Sequence, residues 1–490
     1  MDFEGLESKE VLKHFIKLCE IPHGSYNIDQ ISDYLYGVAK NLGLWCKQDA
    51  LKNVYIRKEA TSGYEDVPPV LLQGHMDMVA VKEEDCDIDL EREGLRVSAV
   101  DGFLQAQGTS LGGDDGIAVA YALALLEADS VAHPAIEVLF TVNEEVGMEG
   151  AIGADLSVFR AERMMNIDSE EEGILLAGCA GGKRVQTVFS SRRSERTGEL
   201  MQLSLKGFQG GHSGADIHKG RGNAVCVLAR AVESLWKKYD ISLVEIAGGE
   251  KDNAIPRFAH ALICVPQAIQ RAIAEEVQAI TEQITQEYRA REPELQWRFG
   301  NAEVSQYPQY AGEGGIMVLQ EQTARDAVGF LASVFDGVMT MSADIPGIVE
   351  TSLNLGILST GETEIKAVFA LRSSKKTAKD NLAERLERIA AAFGAVVSQS
   401  GDYPAWEYRA DSPLRDKMIR VYREQYGKEP VVTVIHAGLE CGILLEKRPE
   451  LDCVSFGPDI QDIHTTKERL DIMSVERTWK YLRAVLADKK

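Results

Sequence analysis

Four short apolar runs, each followed by acidic side chains or a histidine, constrain the fold of this chain more than any other feature. They are residues 69–73, 135–142, 164–167 and 452–456. Their length and apolar character predict buried strands, and helical stretches such as the Ala- and Leu-rich residues 116–128 lie between them. Strands that alternate with helices predict an α/β fold with a mostly parallel sheet.

The middle of the chain interrupts this pattern with an order of elements that recurs. The order is strand, helix, two strands and helix, and its first copy covers residues 201–206, 223–238, 242–246, 257–265 and 268–290. The second copy covers residues 296–299, 321–335, 352–358, 364–371 and 378–393. We therefore predict two tandem βαββα units that form a domain, residues 187–402, inserted into an α/β domain of residues 1–186 and 403–490.

The length and the charge of the chain exclude several classes of protein. A chain of 490 residues is too long for one hydrophobic core, so more than one domain is expected. Its net charge of −23 opposes binding to nucleic acid or to an anionic membrane. No apolar run reaches the roughly 18 residues of a membrane-spanning helix, and the acidic N-terminus does not resemble a signal peptide. Eight scattered cysteines without a C-x-x-C pair favour the reducing cytoplasm.

The first two clusters of polar residues each allow an ordinary explanation beside a functional one. His75 and Asp77 follow the run 69–73, and ligands of open α/β sheets bind at the carboxyl ends of strands. The two side chains of an H-x-D pair face one side of an extended chain, so Asp77 could orient a metal-binding His75. A loop histidine satisfied by local hydrogen bonds is the alternative. Asp114 and Asp115 stand in a Gly-rich loop that opens a helix, where Asp is also a common N-cap.

The remaining clusters make a metal site the better explanation of the whole set. Glu144 and Glu145 follow the run 135–142 as neighbours and repel each other without a cation. Asp168 follows the third run, and His464 lies in the loop after the fourth. Imidazole and carboxylate groups without cysteine suit a catalytic pair of zinc ions, or of manganese or cobalt ions. Such a pair needs a bridging carboxylate, terminal ligands on both sides and a carboxylate near the attacking water, and these residues supply that inventory.

The motifs of the chain, taken in order, resemble those of the bacterial cytosolic Xaa-His dipeptidases. These enzymes belong to a dinuclear-zinc peptidase family that also contains carboxypeptidase G-type enzymes, aminoacylases and tripeptidases. The resemblance extends from the CEIPHGSYN segment to the last strand, and its motifs are GHMDM, GGDDG, NEEVGMEGA, NIDSEEEG, GHSGADIHKGRGNA, NAIPR, LRSS, HAGLECG and FGPDIQDIHTT. It implies that the α/β domain is a zinc-peptidase catalytic domain and that the inserted domain is a lid.

The resemblance also implies a role for each matched residue of the catalytic domain. Asp77 orients a zinc-binding histidine, and Glu144 is the general base that accepts a proton from the attacking water. Asp114 bridges the two ions, because the bridging residue of the family is the first acid of this turn, and Asp115 caps the helix. The metal ligands implied in this way are His75, Asp114, Glu145, Asp168 and His464.

In the inserted domain the resemblance implies that His212 stabilises the oxyanion of the tetrahedral intermediate. A histidine in such a Gly-rich turn also has a structural explanation. Arg372 suits the carboxylate of a dipeptide through a bidentate pair, although arginine on a strand is commonly solvated or paired. The substrate contacts implied are Asn253, Arg257, Arg372 and His436.

The function implied is the hydrolysis of unblocked dipeptides by two zinc ions, for which cobalt or manganese can substitute. The expected substrates include Xaa-His dipeptides such as β-alanyl-histidine. A related N-acyl amino acid deacylase or tripeptidase is the alternative among enzymes, and a non-catalytic binding protein is the alternative outside them. We expect a monomer or a homodimer, since a doubled lid would complete the site within one chain whereas a single lid would need a second subunit.

Overall fold

The computed structural model describes residues 3–490, which divide into two units. The first unit contains the residues up to Cys179 together with Trp406–Val434 and Leu439–Lys490. The second contains Ala180–Ala405 and Ile435–Gly438. The first two residues of the acidic N-terminal segment lie outside the described residues.

The helices and strands of both units are numbered in chain order. The helices are α1 (Lys9–Cys19), α2 (Asp29–Asn41), α3 (Gly113–Glu127), α4 (Glu149–Gly153), α5 (Ala224–Trp236), α6 (Gln270–Tyr288), α7 (Glu321–Ser333), α8 (Lys376–Ala392), α9 (Pro413–Tyr426), α10 (Glu440–Lys447) and α11 (Ile472–Ala487). The strands are β1 (Trp45–Gln48), β2 (Val54–Lys58), β3 (Val70–His75), β4 (Val97–Val100), β5 (Phe103–Ala106), β6 (Ile136–Thr141), β7 (Arg163–Asn166), β8 (Ile174–Cys179), β9 (Gly181–Ser190), β10 (Arg193–Arg196), β11 (Glu199–Lys206), β12 (Gly211–His212), β13 (Ser242–Gly248), β14 (Ala254–Ile255), β15 (Ala259–Val265), β16 (Gln296–Asn301), β17 (Ile316–Leu319), β18 (Gly337–Met341), β19 (Val349–Thr360), β20 (Glu364–Ser373), β21 (Val396–Tyr403), β22 (Val431–Ile435), β23 (Asp452–Ser455), β24 (Ile460–Gln461) and β25 (Arg469–Asp471). None of the helices within residues 3–490 is long and apolar enough to cross a bilayer.

The first unit is built on an eight-stranded sheet in the order β1-β2-β6-β3-β7-β23-β8-β22. The four central strands, β6, β3, β7 and β23, are parallel neighbours, so their carboxyl ends meet at one edge. They correspond to the four apolar runs, which confirms the α/β fold with a parallel centre. Outside this centre, β2 and β8 run antiparallel to their inner neighbours, which the apolar runs did not indicate.

Helix α3 lies in the core of the first unit because it is apolar on every side. Its residues from Gly116 to Leu126 are all buried, and it packs against α1 and β3. The small residues allow this close packing; a Cβ added at Gly116 would lie 3.3 Å from the ring of Phe15. The packing holds the N-terminus of α3 next to β3, where the backbone N–H of His75 donates to the Asp115 carboxylate at 3.1 Å.

The second unit contains a sheet whose main order is β16-β11-β15-β13-β19-β20-β9-β21. This order is symmetrical about the pair β13 and β19, which meet at Gly248 and Leu358. One half combines β11, β13 and β15 with α5 and α6, and the other combines β9, β19 and β20 with α7 and α8. The sheet therefore has the two βαββα halves that the recurring order predicted.

Two details of the predicted repeat are wrong. The second half takes its first strand from β9, which precedes the first half, and not from the predicted strand at 296–299. That segment forms β16 and pairs antiparallel with β11 at the edge of the first half. The predicted boundary at residue 187 consequently falls inside β9, a ten-residue strand that pairs with β20 along its whole length. The predicted boundary at 403 lies close to the observed one at Ala405.

Candidate metal centre and substrate site

The carboxyl ends of the parallel strands carry the predicted metal ligands of the first unit. His75 is the last residue of β3, the Glu144 and Glu145 pair follows β6, and Asp168 follows β7 by two residues. His464 lies in the loop after β23, between β24 and β25. Parallel strands end at the same edge, so residues far apart in the sequence are brought together there.

Asp114 lies between the two histidines of this cluster. One of its carboxylate oxygens, Oδ1, is 3.1 Å from His75 Nε2, and the other, Oδ2, is 3.1 Å from His464 Nε2. Asp168 lies on the His75 side, at 3.7 Å, and Glu145 lies on the His464 side, at 2.9 Å. Each histidine thus faces its own terminal carboxylate, and Asp114 faces both, as a bridging ligand would.

The electrostatics of the cluster favour a bound cation. Burial lowers the pKa of His75, but hydrogen bonds to Asp114, Asp168 and Asp77 outweigh it and hold the pKa well above its usual value. Hydrogen bonds to Asp114 and Glu145 raise the pKa of His464 to about 10. The carboxylates therefore create a field that draws positive charge to the imidazoles, and divalent cations would neutralise the same field. Imidazole and carboxylate donors without thiolate fit a catalytic metal site.

Asp115 has a different environment from Asp114, although the two are neighbours. Its carboxylate is buried beneath β3 and accepts the backbone N–H of His75. Burial, followed by the nearby Asp168 carboxylate, raises the pKa of Asp115 well above its usual value. The ligand atoms of His75, Asp115 and Asp168 do lie within 4.8 Å of one another, but only Asp114 also reaches His464. These contacts support Asp114 as the bridge.

Asp77 holds His75 through its backbone more directly than through its side chain. His75 Nδ1–H donates to the carbonyl oxygen of Asp77 at 2.8 Å, and the carboxylate lies at 3.6 Å. This leaves His75 Nε2 directed at Asp114. The Asp77 carboxylate accepts the backbone N–H of Glu144 at 3.0 Å and the hydroxyl of Ser25 at 2.8 Å. Ser25 lies in the CEIPHGSYN segment, but its hydrogen bond to Asp77 was not predicted, because the segment does not show which residue Ser25 contacts.

A buried polar network lies below the strand ends and was also missed by sequence reasoning. The Glu440 carboxylate accepts from Gln73 Nε2 and from the Thr141 hydroxyl, each at 2.6 Å, and the Gln73 carbonyl accepts from Asn166 at 2.6 Å. All four side chains are at most 2% exposed, and burial raises the pKa of Glu440 to about 7. The network links β6, β3 and β7 near their carboxyl ends, next to the proposed metal ligands. The only sequence signal for this network is that Glu440 belongs to the HAGLECG motif.

Gly74 is expected to be required at the end of β3. A Cβ at this position would lie 2.5 Å from both Ala118 Cβ and the Asp115 carboxylate, and neither can withdraw. We expect Gly74→Ala to destabilise the fold by about 1–3 kcal/mol, as overpacking does. The same shift would displace His75 and weaken metal binding. Urea unfolding and a zinc titration measure the two effects.

Gly37→Ala is the matched control for this prediction. Gly37 lies within helix α2, and a Cβ there would meet no atom within 4 Å. Alanine favours a helix over glycine by about 1 kcal/mol, so this variant is expected to gain stability and keep its metal affinity. If Gly74→Ala were as stable as the unsubstituted protein, the close packing of β3 on α3 would be refuted.

His212 lies in the second unit, in a turn with a defined geometry. Its strand β12 pairs with β14, and His212 stands opposite Ala254. The ring atom Nδ1 accepts the backbone N–H groups of Gly214 and Ala215 at 3.3 and 3.1 Å. The neutral ring therefore carries its proton on Nε2, where it can be donated. The buried Glu292 holds the segment at both ends by accepting the N–H groups of Gln209 and Gly222.

Arg372 and His436 lie near His212 in the same unit. Arg372, on β20, stands opposite Ser352 on β19, and the Ser352 hydroxyl contacts His436 Nε2 at 2.8 Å. The Arg372 guanidinium donates to the Tyr403 hydroxyl, and its buried Nε has no hydrogen-bond partner within residues 3–490. Burial and Arg372 lower the pKa of His212 and reduce that of His436 to about 3. The cluster therefore has spare hydrogen-bond donors and positive charge, which suit an anionic group.

The other two predicted substrate contacts, Asn253 and Arg257, lie in different surroundings. The Asn253 carbonyl accepts the backbone N–H of Ser213 at 2.8 Å, so this residue adjoins the His212 turn, although its side chain is exposed. Arg257 is exposed and donates from Nε to the carbonyl of Phe208 at 3.4 Å. The described contacts of Arg257 are thus with the backbone, and none joins it to Arg372 or His436.

A parallel sheet edge where imidazole and carboxylate side chains converge is typical of metal-dependent hydrolases. Residues 71–488 match Peptidase family M20/M25/M40. The chain is 35% identical over 477 residues to the cytosol non-specific dipeptidase of Escherichia coli (strain K12), covering 97% of this chain and 96% of that protein. The crystal structure of aminoacylhistidine dipeptidase from Vibrio alginolyticus is also 35% identical, with a TM-score of 0.90 over 99% of this chain and 98% of that one.

The chain therefore belongs to Peptidase family M20/M25/M40, and it is a hydrolase of peptide bonds. This confirms the resemblance that the motifs indicated. Human carnosine dipeptidase 1 is 13% identical, with a TM-score of 0.50 over 98% of this chain and 96% of that one, and shares the fold.

Proposed function

We propose that this protein holds two zinc ions and hydrolyses unblocked dipeptides, including Xaa-His dipeptides such as β-alanyl-histidine. One observation carries the proposal: the two oxygens of Asp114 face different histidines, His75 and His464, at 3.1 Å each. On this proposal Asp168 completes the His75 side and Glu145 the His464 side. Cobalt or manganese would substitute for zinc, since all three accept imidazole and carboxylate ligands.

Bound at this cluster, the ions would lower the pKa of a water molecule and polarise the scissile carbonyl. Glu144 would accept the proton of the attacking water and pass it to the leaving amine. Burial, reinforced by the nearby carboxylates of Asp168, Glu440 and Glu145, raises the pKa of Glu144 well above its usual value. A carboxylate beside the attacking water can act first as a base and then, once protonated, as an acid toward the leaving amine. The bond from its backbone N–H to Asp77 keeps it beside His75.

His212 would stabilise the oxyanion of the tetrahedral intermediate. Its Nε2–H is available to donate because Nδ1 is held by two backbone N–H groups. The lowered pKa of His212 keeps the ring neutral at pH 7, so the ring acts as a hydrogen-bond donor and does not repel the metal ions as a cation would. This role requires the second unit to act as a lid that closes during each turnover.

Arg372 and His436 would bind the C-terminal carboxylate of the dipeptide. The Nε of the Arg372 guanidinium has no hydrogen-bond partner among the residues that the structure describes, and an arginine binds a carboxylate well through two parallel hydrogen bonds. A carboxylate bound at a fixed distance from the reacting carbonyl would favour dipeptides over longer peptides. Asn253 and Arg257 would contribute less, since both side chains are exposed.

We further infer that the enzyme works in the cytoplasm and completes its site within one chain, whether it is a monomer or a homodimer. Eight free cysteines and the name of the Escherichia coli relative support the location. The pairing of β13 with β19 supports the second inference, because it joins both halves of the lid within a single chain.

A substrate panel tests the proposed specificity. We expect Xaa-His dipeptides to be hydrolysed much faster than N-acetyl amino acids and tripeptides of the same sequence. Preference for N-acetyl amino acids would indicate a deacylase, preference for tripeptides would indicate a tripeptidase, and hydrolysis of none would indicate a binding protein.

His212→Ala is expected to lower kcat by roughly 10²- to 10³-fold, the usual effect of losing one oxyanion donor. The zinc content and KM should change little, because the donor acts in the transition state. His218→Ala is the control, since His218 is exposed in the same segment and should leave kcat unchanged. A normal kcat for His212→Ala with a lowered Tm would instead mark His212 as a structural turn residue.

A further inference from the structure

Glu468 makes an unusual set of hydrogen bonds at the N-terminus of helix α3. It is 3% exposed, and its carboxylate accepts the backbone N–H groups of consecutive residues. Oε2 accepts from Leu111 at 2.8 Å and Gly112 at 3.0 Å, and Oε1 accepts from Gly113 at 2.7 Å and Asp114 at 3.4 Å. The last of these N–H groups belongs to the residue that lies between the two histidines.

These bonds satisfy the loop that leads into the helix. Asp114 and Asp115 have non-helical backbone angles, so the regular part of α3 begins after them and the N–H groups of residues 111–114 belong to this loop. Buried backbone N–H groups need hydrogen-bond partners, and Gly112, which has a φ of 71°, offers no side chain as one. The side chains of Asp114 and Asp115 are directed to His464 and to β3 and make no cap. A carboxylate from elsewhere in the chain therefore satisfies the donors of this loop.

The origin of that carboxylate connects two loops of the metal centre. Glu468 follows His464 by four residues, and its own backbone N–H donates to the carbonyl of Thr465 at 3.2 Å. The short loop that carries His464 thus also fixes the backbone of Asp114. The Glu468 side chain thus helps to set the distance between the proposed ligands Asp114 and His464.

We propose that Glu468 is a positioning residue, which holds the Asp114 carboxylate at the place where it faces both His75 and His464. This inference rests on the proposed metal centre and extends it to a residue that touches no reacting atom. It predicts that losing the Glu468 carboxylate disturbs metal binding more than it disturbs the fold.

Glu468→Gln tests the inference, because the amide keeps the shape of the side chain but loses the charge and one of the two acceptor oxygens. Its NH₂ group would face backbone N–H groups, and the loop would move. We expect zinc affinity to fall by about 10- to 100-fold, as for other residues that orient metal ligands. In zinc-saturated protein kcat should fall while KM changes little. The visible spectrum of the cobalt-loaded protein should also change, since it reports ligand geometry independently of activity.

Glu137→Gln is the matched control. Glu137 is 1% exposed and its carboxylate accepts the backbone N–H groups of Arg160 and Ala161, but it lies in β6 away from the ligand-bearing end. We expect this variant to lose stability and to retain zinc affinity, kcat and the cobalt spectrum. The same result for Glu468→Gln, a lower Tm with an unchanged spectrum and affinity, would overturn the proposal.

Glu468→Asp keeps the inference testable if the glutamine variant does not fold. The shorter carboxylate can reach only part of the loop, so zinc affinity and the cobalt spectrum should lie between those of the unsubstituted protein and a disrupted site. An aspartate variant with unchanged affinity and spectrum would overturn the proposal. The unsubstituted protein separates the two claims: if it binds no zinc, the proposed function fails, whereas normal binding together with a normal Glu468→Gln variant refutes only the role of Glu468.

Discussion

Glu144→Gln is expected to lose dipeptide hydrolysis by about 10²- to 10⁴-fold while it keeps both metal ions. The substitution preserves the shape of the side chain and removes only the ability to accept a proton. The backbone N–H of residue 144 would still donate to Asp77, so the loop after β6 should remain in place. Single-turnover kinetics and metal analysis of the same sample measure the two properties together.

Glu149→Gln is the control for this prediction, since Glu149 is an exposed carboxylate at the start of α4, the helix that follows this loop. It should keep both metal content and kcat. A Glu144→Gln variant with kcat near that of the unsubstituted protein would remove Glu144 from the reaction. A variant that lost its metal instead would show that Glu144 is a ligand and not the base.

Asp114→Ala is expected to abolish activity because it should abolish metal binding. Asp114 faces both His75 and His464, so its loss removes a ligand from two ions at once and leaves the remaining acids without a bridge. Hydrolysis should fall to the background rate, and zinc content should fall well below two equivalents. Metal analysis after gel filtration measures this directly.

Asp115→Asn is the matched control for the bridging residue. Asp115 is buried beneath β3, and an asparagine side chain has the same size and shape as its carboxylate. Its side-chain oxygen can still accept the N–H of His75. We expect zinc content to be retained in this variant. If Asp114→Ala retained zinc and Asp115→Asn lost it, Asp115 would be the bridging ligand and Asp114 would not.

The fold was predictable where local pattern decides the structure. The four apolar runs predicted buried strands because a strand covered on both faces is mostly apolar, and these strands are the parallel neighbours at the centre of the sheet. The exchange of β9 and β16 in the second unit was not predictable from such a pattern. Both segments have strand character, and which half each one joins depends on pairing between residues about 90 or more positions apart.

The site divides in the same way. It could be predicted that His75, Glu145 and Asp168 lie at one edge of the sheet, because strand ends and family motifs mark them. The contacts of Ser25 and Glu468 could not be predicted, because the fold brings each side chain to a partner that is distant in the sequence. The Glu468 carboxylate accepts the N–H groups of a loop more than 350 residues away, and no sequence periodicity reveals such a contact.

The most direct test of the dinuclear site is a zinc titration of chelator-treated protein with β-alanyl-histidine hydrolysis as the readout. We expect no hydrolysis without metal, and activity that rises until two equivalents of zinc are bound per chain. Full activity in protein verified to be free of metal, a plateau at one equivalent, or two bound equivalents without hydrolysis would contradict this expectation.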